Sequence, residues 1–348
     1  MIRLSFKTLS LWLAALACLP FGSIASAEAI QWVTVGDPGN TADDTNYGDV
    51  ATSFQIMKYE FTNQQYTDFL NSVDAGGNNP NSVYNADMGS DIRGGISFTS
   101  GAASGSKYAV KSNMGDKPVN YVSWFDAARV ANWYQNGATS LSNTEDGAYT
   151  LVNGQITGTA PARNNGATFY IPTEDQWYKA AYYKGGGTTA GYWDYATRSD
   201  TAPTKVNATI VGTGTSGGVS PVTSGNFANY GDQAGWNDRS GNVTTVGTNG
   251  VSSAYGAFDM NGNITEWNDL TGLVAGERRG LRGGFWGSFS ELSLRSSFNQ
   301  DTPASDESDV YGFRLASPVA VPEPSTYAMA LAGLACGGYS VFRRRKRA

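Results

Sequence analysis

The stretch Phe258-Asp259-Met260-Asn261-Gly262-Asn263-Ile264-Thr265-Glu266-Trp267 is one of five motifs whose order along this 348-residue chain indicates the fold. A Gly-Asn turn lies in its middle, and an acidic residue follows directly beside a tryptophan. We predict that Trp267 is a core aromatic residue. We predict that Glu266 is a buried, hydrogen-bonded carboxylate rather than a general base, because buried polar groups need partners. This stretch is therefore expected to hold the fold together.

Four further motifs surround this stretch, and each contains aromatic residues. They are YEFTNQQY (59–66), PVNYVSW (118–124), IPTEDQW (171–177), and LRGGFW (281–286) together with GFR (312–314). We expect Trp124, Trp177 and Trp286 to lie in the core. We expect Gly283-Gly284 to permit a backbone turn that a side chain would obstruct.

Three of these motifs also contain helix starts. Capping boxes are present at residues 62–65, 123–126 and 173–176, where Ser or Thr stands three positions before Gln or Asp. They predict helices to about Asn71, to about Gln135, and onward through Trp177. A strand is predicted at residues 54–59, just before the first helix.

The composition indicates a loop-rich single domain between the two ends of the chain. The sequence contains 43 glycines, and 12% of its residues are aromatic. Glycine-rich connections separate short predicted strands, and the aromatic residues are numerous enough for a core. We predict an α+β fold with short strands, a few helices and extensive irregular loops.

The five motifs, in this order, resemble the formylglycine-generating enzyme, or sulfatase-modifying factor, superfamily over roughly residues 32–316. The resemblance implies a variant C-type-lectin-like fold. It also implies a catalytic position just after the Arg-Gly-Gly motif, where active members have two cysteines, five positions apart, that bind Cu(I) and activate oxygen.

The chain departs from that catalytic pattern. Ser288 and Ser293 occupy the two cysteine positions, and Phe285 replaces the serine that usually follows the two glycines. The only cysteines are Cys18 and Cys336, in the terminal segments, and the chain has no histidine. Hydroxyl groups are poor Cu(I) ligands. We therefore expect no copper, iron or zinc and no formylglycine-generating activity, and we assign no catalytic residue.

Three functions remain open on the sequence. The first is a non-catalytic binding or matrix module that holds a polysaccharide, a peptide or a neighbouring surface protein. The second is an enzyme of the same superfamily that uses another metal, or a carboxylate such as Glu266, Glu291 or Glu174 with a pKa raised by burial. An enzyme predicts a polar pocket near Trp286, Ser288 and Glu291. The third is a purely structural surface or biofilm protein.

Calcium is the cofactor that the resemblance implies, because family members bind it through loop oxygens. One site would use Asn263 and the backbone carbonyl of Ile264. A second would use Asn229 and Tyr230, with Asp238 among the downstream acidic and amide side chains. Ordinary Asx turns are the alternative explanation of both patterns.

The N-terminus has the pattern of a secretory signal peptide. Arg3 and Lys7 precede an apolar run at 9–21, and Ala25-Ser26-Ala27 supplies small residues for cleavage. We predict a signal peptide at residues 1–27, removed by signal peptidase, and a domain at residues 28–318.

The C-terminus has the pattern of a second targeting segment at residues 319–348. Pro322-Glu323-Pro324 precede a short apolar stretch at 327–342 and a basic cluster at 343–347. This order resembles the PEP-CTERM sorting signal of Gram-negative bacteria. It implies cleavage by an exosortase, transient anchoring in the inner membrane by this segment alone, and delivery to the cell surface or extracellular matrix. A simple C-terminal membrane anchor is the alternative.

The charge between the two terminal segments makes the chain a poor candidate for binding nucleic acid. The net charge of the whole chain is −6. Without the two positive charges of the signal peptide and the five of the C-terminal cluster, it is near −13. Phosphate backbones require Lys and Arg, so we expect no nucleic-acid binding.

Overall fold

The computed structural model describes residues 29–207 and 218–319. The predicted signal peptide and the sorting segment, including Pro322, Glu323 and Pro324, lie outside the described residues. Within those residues the helices are α1 (Asn63–Val73), α2 (Asp87–Ser90), α3 (Trp124–Gln135) and α4 (Glu174–Tyr182), with a 3₁₀ helix at Glu291–Leu294. No helix in the described ranges is long and apolar enough to cross a membrane.

The three predicted helix starts are confirmed. Thr62, Ser123 and Thr173 are the N-caps of α1, α3 and α4, and each has a complete capping box. Each cap satisfies backbone N–H groups that the first helical turn leaves without a partner. Because these caps are local hydrogen bonds, their residue pattern alone was enough to locate the helices.

The strands are short, and they form two main sheets. In chain order they are β1 (Trp32–Val35), β2 (Phe54–Met57), β3 (Ile96–Phe98), β4 (Tyr108–Val110), β5 (Thr204–Lys205), β6 (Phe227–Ala228), β7 (Thr265–Asn268), β8 (Arg278–Arg282), β9 (Gln300–Pro303), β10 (Tyr311–Gly312) and β11 (Ala316–Pro318). The predicted strand at 54–59 thus ends two residues early.

The sheet order brings distant parts of the chain together. One sheet has the order β1-β2-β11, so strands near both ends of the domain are paired. The other has the order β10-β7-β8-β9, in which only the β10–β7 pair is parallel. Two smaller pairs, β3-β4 and β5-β6, complete the described sheets. The second sheet places the Glu-Trp motif of β7 between the Gly-Phe-Arg and Arg-Gly-Gly motifs.

The motif tryptophans lie in the core, as predicted. Trp124, Trp177 and Trp267 are fully buried, and Trp286 is 7% exposed. Trp286 belongs to a separate small cluster with Met114, Trp236 and Val243. The motifs therefore contribute both to the main core and to a second core beside the Arg-Gly-Gly turn.

Candidate functional site

The chain turns sharply after β8, at the position of the catalytic residues in active family members. Gly283 and Gly284 have φ angles of +97° and +72°. A Cβ atom on Gly284 would lie 3.1 Å from the Ser288 Oγ atom and 3.2 Å from the Ser293 carbonyl oxygen. The two glycines therefore allow both serines to pack closely against the turn, as the sequence predicted for Gly283-Gly284.

The hydroxyl groups of the two serines make local hydrogen bonds. The Ser288 Oγ atom accepts a hydrogen bond from the Phe285 backbone N–H at 3.0 Å. The Ser293 Oγ atom donates to the Ser290 carbonyl oxygen at 2.8 Å. Among the described residues, no carboxylate accepts a hydrogen bond from either hydroxyl. These local hydrogen bonds stabilise the turn that carries both serines.

The Glu266 carboxylate is fully engaged by two neighbours. Arg314 binds it bidentately, with Nε and Nη2 each 2.6 Å from a carboxylate oxygen. The Trp177 indole N–H donates to it at 2.8 Å. All three side chains are buried. The prediction of a buried, hydrogen-bonded carboxylate is confirmed, and three sequence motifs meet in this single cluster.

The second carboxylate considered for acid–base chemistry, Glu174, is also paired. It forms a buried ion pair with Arg282. Burial raises the pKa of Glu174, and the Arg282 charge opposes that rise. Arg282 also donates from Nη1 to the carbonyl oxygens of Ser296 and Phe298, at 2.7 and 2.5 Å. Arg282 therefore ties the segment after the 3₁₀ helix to the sheet.

Glu291, the third carboxylate, lies in the 3₁₀ helix and has only a 3.5 Å contact with the Ser290 hydroxyl. Beside it, Phe289 is 90% exposed and Leu292 is 56% exposed. Phe285 instead packs edge-on against Trp286, with ring centroids 5.7 Å apart. We call residues 285–298 the presentation segment. It exposes the apolar side chains of Phe289 and Leu292, while hydrogen bonds from Arg282 and within the turn hold its backbone in place.

Two of the predicted calcium ligands, Asn263 and Asn229, lie together in a buried network. The Asn263 Oδ1 atom accepts hydrogen bonds from the Thr244 N–H at 2.8 Å, the Thr244 hydroxyl at 3.1 Å and the Asn229 Nδ2 atom at 3.1 Å. The Asn263 Nδ2 atom donates to Glu60 at 2.8 Å. The Asn263 oxygen therefore links two other segments by hydrogen bonds in this arrangement. The Asn229 Oδ1 atom, in contrast, is buried without a partner and fits a cation ligand.

The other predicted ligands are distributed more widely. Tyr230 uses its hydroxyl to donate to the Pro203 carbonyl at 2.7 Å, and Ile264 is fully buried. Asp238 is exposed in a loop with a φ angle of +59°. The described part of the chain contains no group of three acidic, cysteine or histidine side chains that could hold a metal ion.

The carboxylate cluster around Glu60 was not predicted from the sequence. Its Oε1 atom is buried without a partner. Burial, together with the charges of Asp259 and Glu266, raises the pKa of Glu60 well above its usual value, and Arg314 opposes the rise. Glu60 belongs to the first motif and Asp259 to the fourth, so only the folded chain brings them together.

The fold and the site together define a loop-rich α+β domain in which motif arginines bind buried carboxylates beside a glycine turn. The chain belongs to the family described as sulfatase-modifying factor enzyme 1-like domain, which matches residues 27–319. The PEP-CTERM protein-sorting motif matches residues 320–346. That motif indicates export and surface or membrane-associated sorting in a Gram-negative bacterium, and it implies sorting by an exosortase.

Solved structures with a similar fold include Treponema denticola variable protein 1. It is 19% identical, the match covers 85% of this chain and 98% of that protein, and the TM-score is 0.51. CarF is 23% identical over 84% of this chain and 99% of its own, with a TM-score of 0.47. PvdO from Pseudomonas aeruginosa is 18% identical over 83% and 92%, with a TM-score of 0.40. No protein of the curated comparison set matches the chain by sequence.

Proposed function

We propose that this domain is a non-catalytic recognition module of the cell surface or extracellular matrix. The proposal rests on the exposure of apolar side chains in the presentation segment. Its serine hydroxyls bond within the turn, while Phe289 and Leu292 are exposed to solvent. Exposed apolar side chains that lie close together on a folded surface are typical of interaction sites. The position that performs chemistry in active family members therefore presents side chains to a partner here.

The carboxylates support this proposal over an enzyme. A general acid or base must reach the proton it transfers. Glu266 and Glu174 are instead engaged by buried arginines. Glu291 is two residues from Phe289 and has no ion pair among the described residues, so it can contribute to recognition.

The attachment of the presentation segment supports binding. Arg282 fixes the carbonyl groups of Ser296 and Phe298, and the Ser288 hydroxyl fixes the start of the turn. A surface that is already ordered loses less conformational entropy when it binds. The partner we propose is a matrix component, either a polysaccharide or a neighbouring surface protein.

Binding of the purified protein to isolated matrix polysaccharide and surface-protein fractions tests the proposal. We expect saturable binding, weakened about tenfold or more by Phe289→Ser, as for an exposed aromatic anchor. Leu141→Ser is the matched control, because Leu141 is 95% exposed in another loop. Equal binding by the wild type and Phe289→Ser would contradict the proposal. Substrate turnover that Glu291→Gln abolishes would favour an enzyme instead.

Calcium is the cofactor we propose, with Asn229 as the ligand that the geometry supports. Its buried, unpartnered oxygen is the kind of hard donor that calcium prefers. When bound, the ion would supply structural cross-linking of the loops rather than chemistry.

A further inference from the structure

A second concave site lies at the end of the β1-β2-β11 sheet, away from the presentation segment. It is a cavity of about 390 Å³, within the range of about 300–1,000 Å³ usual for small-molecule sites. We call this cavity the Arg163 pocket. Its lining residues lie at or near the ends of several strands and helices. They include Thr52, Ser53, Arg163, Asn165, Tyr170 and Leu273.

Arg163 is the only charged side chain among the described residues that line this pocket. Its guanidinium lies over the Tyr170 ring at 4.0 Å from the centroid. It makes no hydrogen bond or ion pair with any described residue, and its Nη1 atom is buried without a partner. Stacking on an aromatic ring holds an arginine in place without consuming its N–H donors. Arg163 is therefore a positioned cation without a counter-ion among the described residues.

The buried carboxylate of Asp269, which lies near Arg163, is not the counter-ion of Arg163. Asp269 feels the Arg163 charge, but its own ion pair is with Arg279 at 3.0 Å. The Tyr149 hydroxyl donates to the same carboxylate at 3.0 Å. Two guanidinium groups thus lie near one carboxylate, and the surplus positive charge is that of Arg163. In a domain whose total charge is strongly negative, such a local surplus is best explained by an anionic ligand.

The rest of the pocket is suited to hydroxyl groups. The side chains of Thr52, Ser53 and Asn165 make no hydrogen bond with any described residue, and Thr52 and Asn165 are exposed. Hydroxyl and amide groups both donate and accept, which complements the hydroxyls of a sugar. Leu273, which is 76% exposed, supplies an apolar surface beside them. Tyr170 is held at its hydroxyl by Gln176 at 3.2 Å, so the pocket floor is fixed.

We propose that the Arg163 pocket binds a carboxylate-bearing sugar of an acidic polysaccharide. The planar guanidinium of Arg163 pairs with the planar sugar carboxylate, and the neutral side chains of the pocket bind the ring hydroxyls. The inference rests on the proposed function only in treating the domain as a binding module, since the site itself is separate from the presentation segment.

Calorimetric titration of the purified protein with a short oligogalacturonate tests this inference. The methyl ester of the same oligosaccharide, which keeps the sugar and removes the charge, is the matched ligand. We expect the acid to bind and the ester to bind about tenfold to a hundredfold more weakly, as for the loss of a charge-assisted pair. Arg163→Gln should weaken binding of the acid by a similar factor, and Arg163→Lys by less. Arg239→Gln removes the same charge from an exposed position and should leave binding unchanged.

A second variant keeps the test valid if Arg163→Gln does not fold. Asn165 is exposed, so Asn165→Asp should leave the melting temperature unchanged. It places a competing carboxylate in the pocket and should weaken binding of the oligogalacturonate. Equal binding of acid and ester, equal binding of a glutamate-rich peptide, or no effect of either variant would overturn the inference. Failure here while matrix fractions still bind through Phe289 would leave the proposed function standing.

Discussion

At the scale of single residues, the two motif arginines Arg314 and Arg282 are buried against carboxylates. Arg314 and Arg282 each bind a buried carboxylate, and each also donates to backbone carbonyls of another segment. Burying a charge is costly, and removing its partner is costlier still. The motif arginines therefore cross-link separate segments of the chain.

Arg314→Met should be one of the most destabilising substitutions in the domain. It leaves the buried Glu266 carboxylate without its counter-ion, near Glu60 and Asp259, whose pKa values burial already raises. We expect a loss of about 3–5 kcal/mol in the free energy of unfolding, measured by urea denaturation at pH 7. Arg239→Met, at an exposed arginine, is the control and should change it by less than about 0.5 kcal/mol. Equal stability of the two variants would contradict the cross-linking role of Arg314.

Glu60→Gln should change how stability depends on pH. Burial raises the pKa of Glu60 in the folded state, so the folded protein holds this proton more tightly than the unfolded chain. The stabilising contribution is complete below the unfolded pKa of about 4.3 and is lost as the pH rises through the folded pKa. The free energy of unfolding should therefore fall less between pH 5 and pH 8 in Glu60→Gln than in the wild type. Parallel pH profiles of the two proteins would show that Glu60 is not the group responsible.

At the scale of elements, short helices and turns are fixed by their own local hydrogen bonds. The α4 helix has nine residues, a length at which an isolated helix is unstable in water. Its N-cap therefore matters, because α4 carries Glu174 and Trp177 to the two buried ion-pair clusters. The presentation segment follows the same rule, since the Ser288 hydroxyl fixes its first turn.

Thr173→Ala should weaken the start of α4. The Thr173 side chain accepts a hydrogen bond from the Gln176 N–H at 3.2 Å, and the substitution removes that acceptor. We expect a loss of about 1 kcal/mol in the free energy of unfolding, measured by thermal or urea denaturation. Thr189→Ala, at an exposed threonine, is the control for threonine removal. A loss that matches the control would mean that the cap contributes nothing measurable.

At the scale of the whole molecule, loops are tied together by buried polar networks. The Asn229–Asn263–Thr244 network joins three loop segments, and Asn263 extends it to Glu60. A domain with this little regular structure depends on such links because loops leave many backbone groups without ladder partners. Calcium at Asn229 would add one more link of the same kind.

Calcium should therefore raise the melting temperature of the domain. A ligand that binds only the folded state stabilises it by about 2.7 kcal/mol when present at about a hundred times its dissociation constant. We expect a higher melting temperature in calcium than in EDTA, and a smaller effect of magnesium, which prefers tighter octahedral sites. Identical melting curves in calcium and EDTA would remove calcium from the proposal and leave the recognition function untouched.

The sequence by itself determined the local features of this protein. The capping boxes at Thr62, Ser123 and Thr173, the Gly283-Gly284 turn and the burial of the motif tryptophans depend on neighbouring residues and on hydrophobicity, so the residue pattern was sufficient. The replacement of two cysteines by serines could also be read from the sequence, because residue type alone limits the chemistry available to a site.

Only the tertiary structure decided which residues meet. Glu60 and Asp259 are far apart in the chain and close in space. Arg163 is unpaired among the described residues because the Asp269 carboxylate forms its ion pair with Arg279. The hydrogen-bond donors to the Asn263 oxygen come from two other segments. Hydrogen bonds, ion pairs and pKa shifts of this kind depend on distances of a few ångströms between segments, and a linear sequence does not contain those distances.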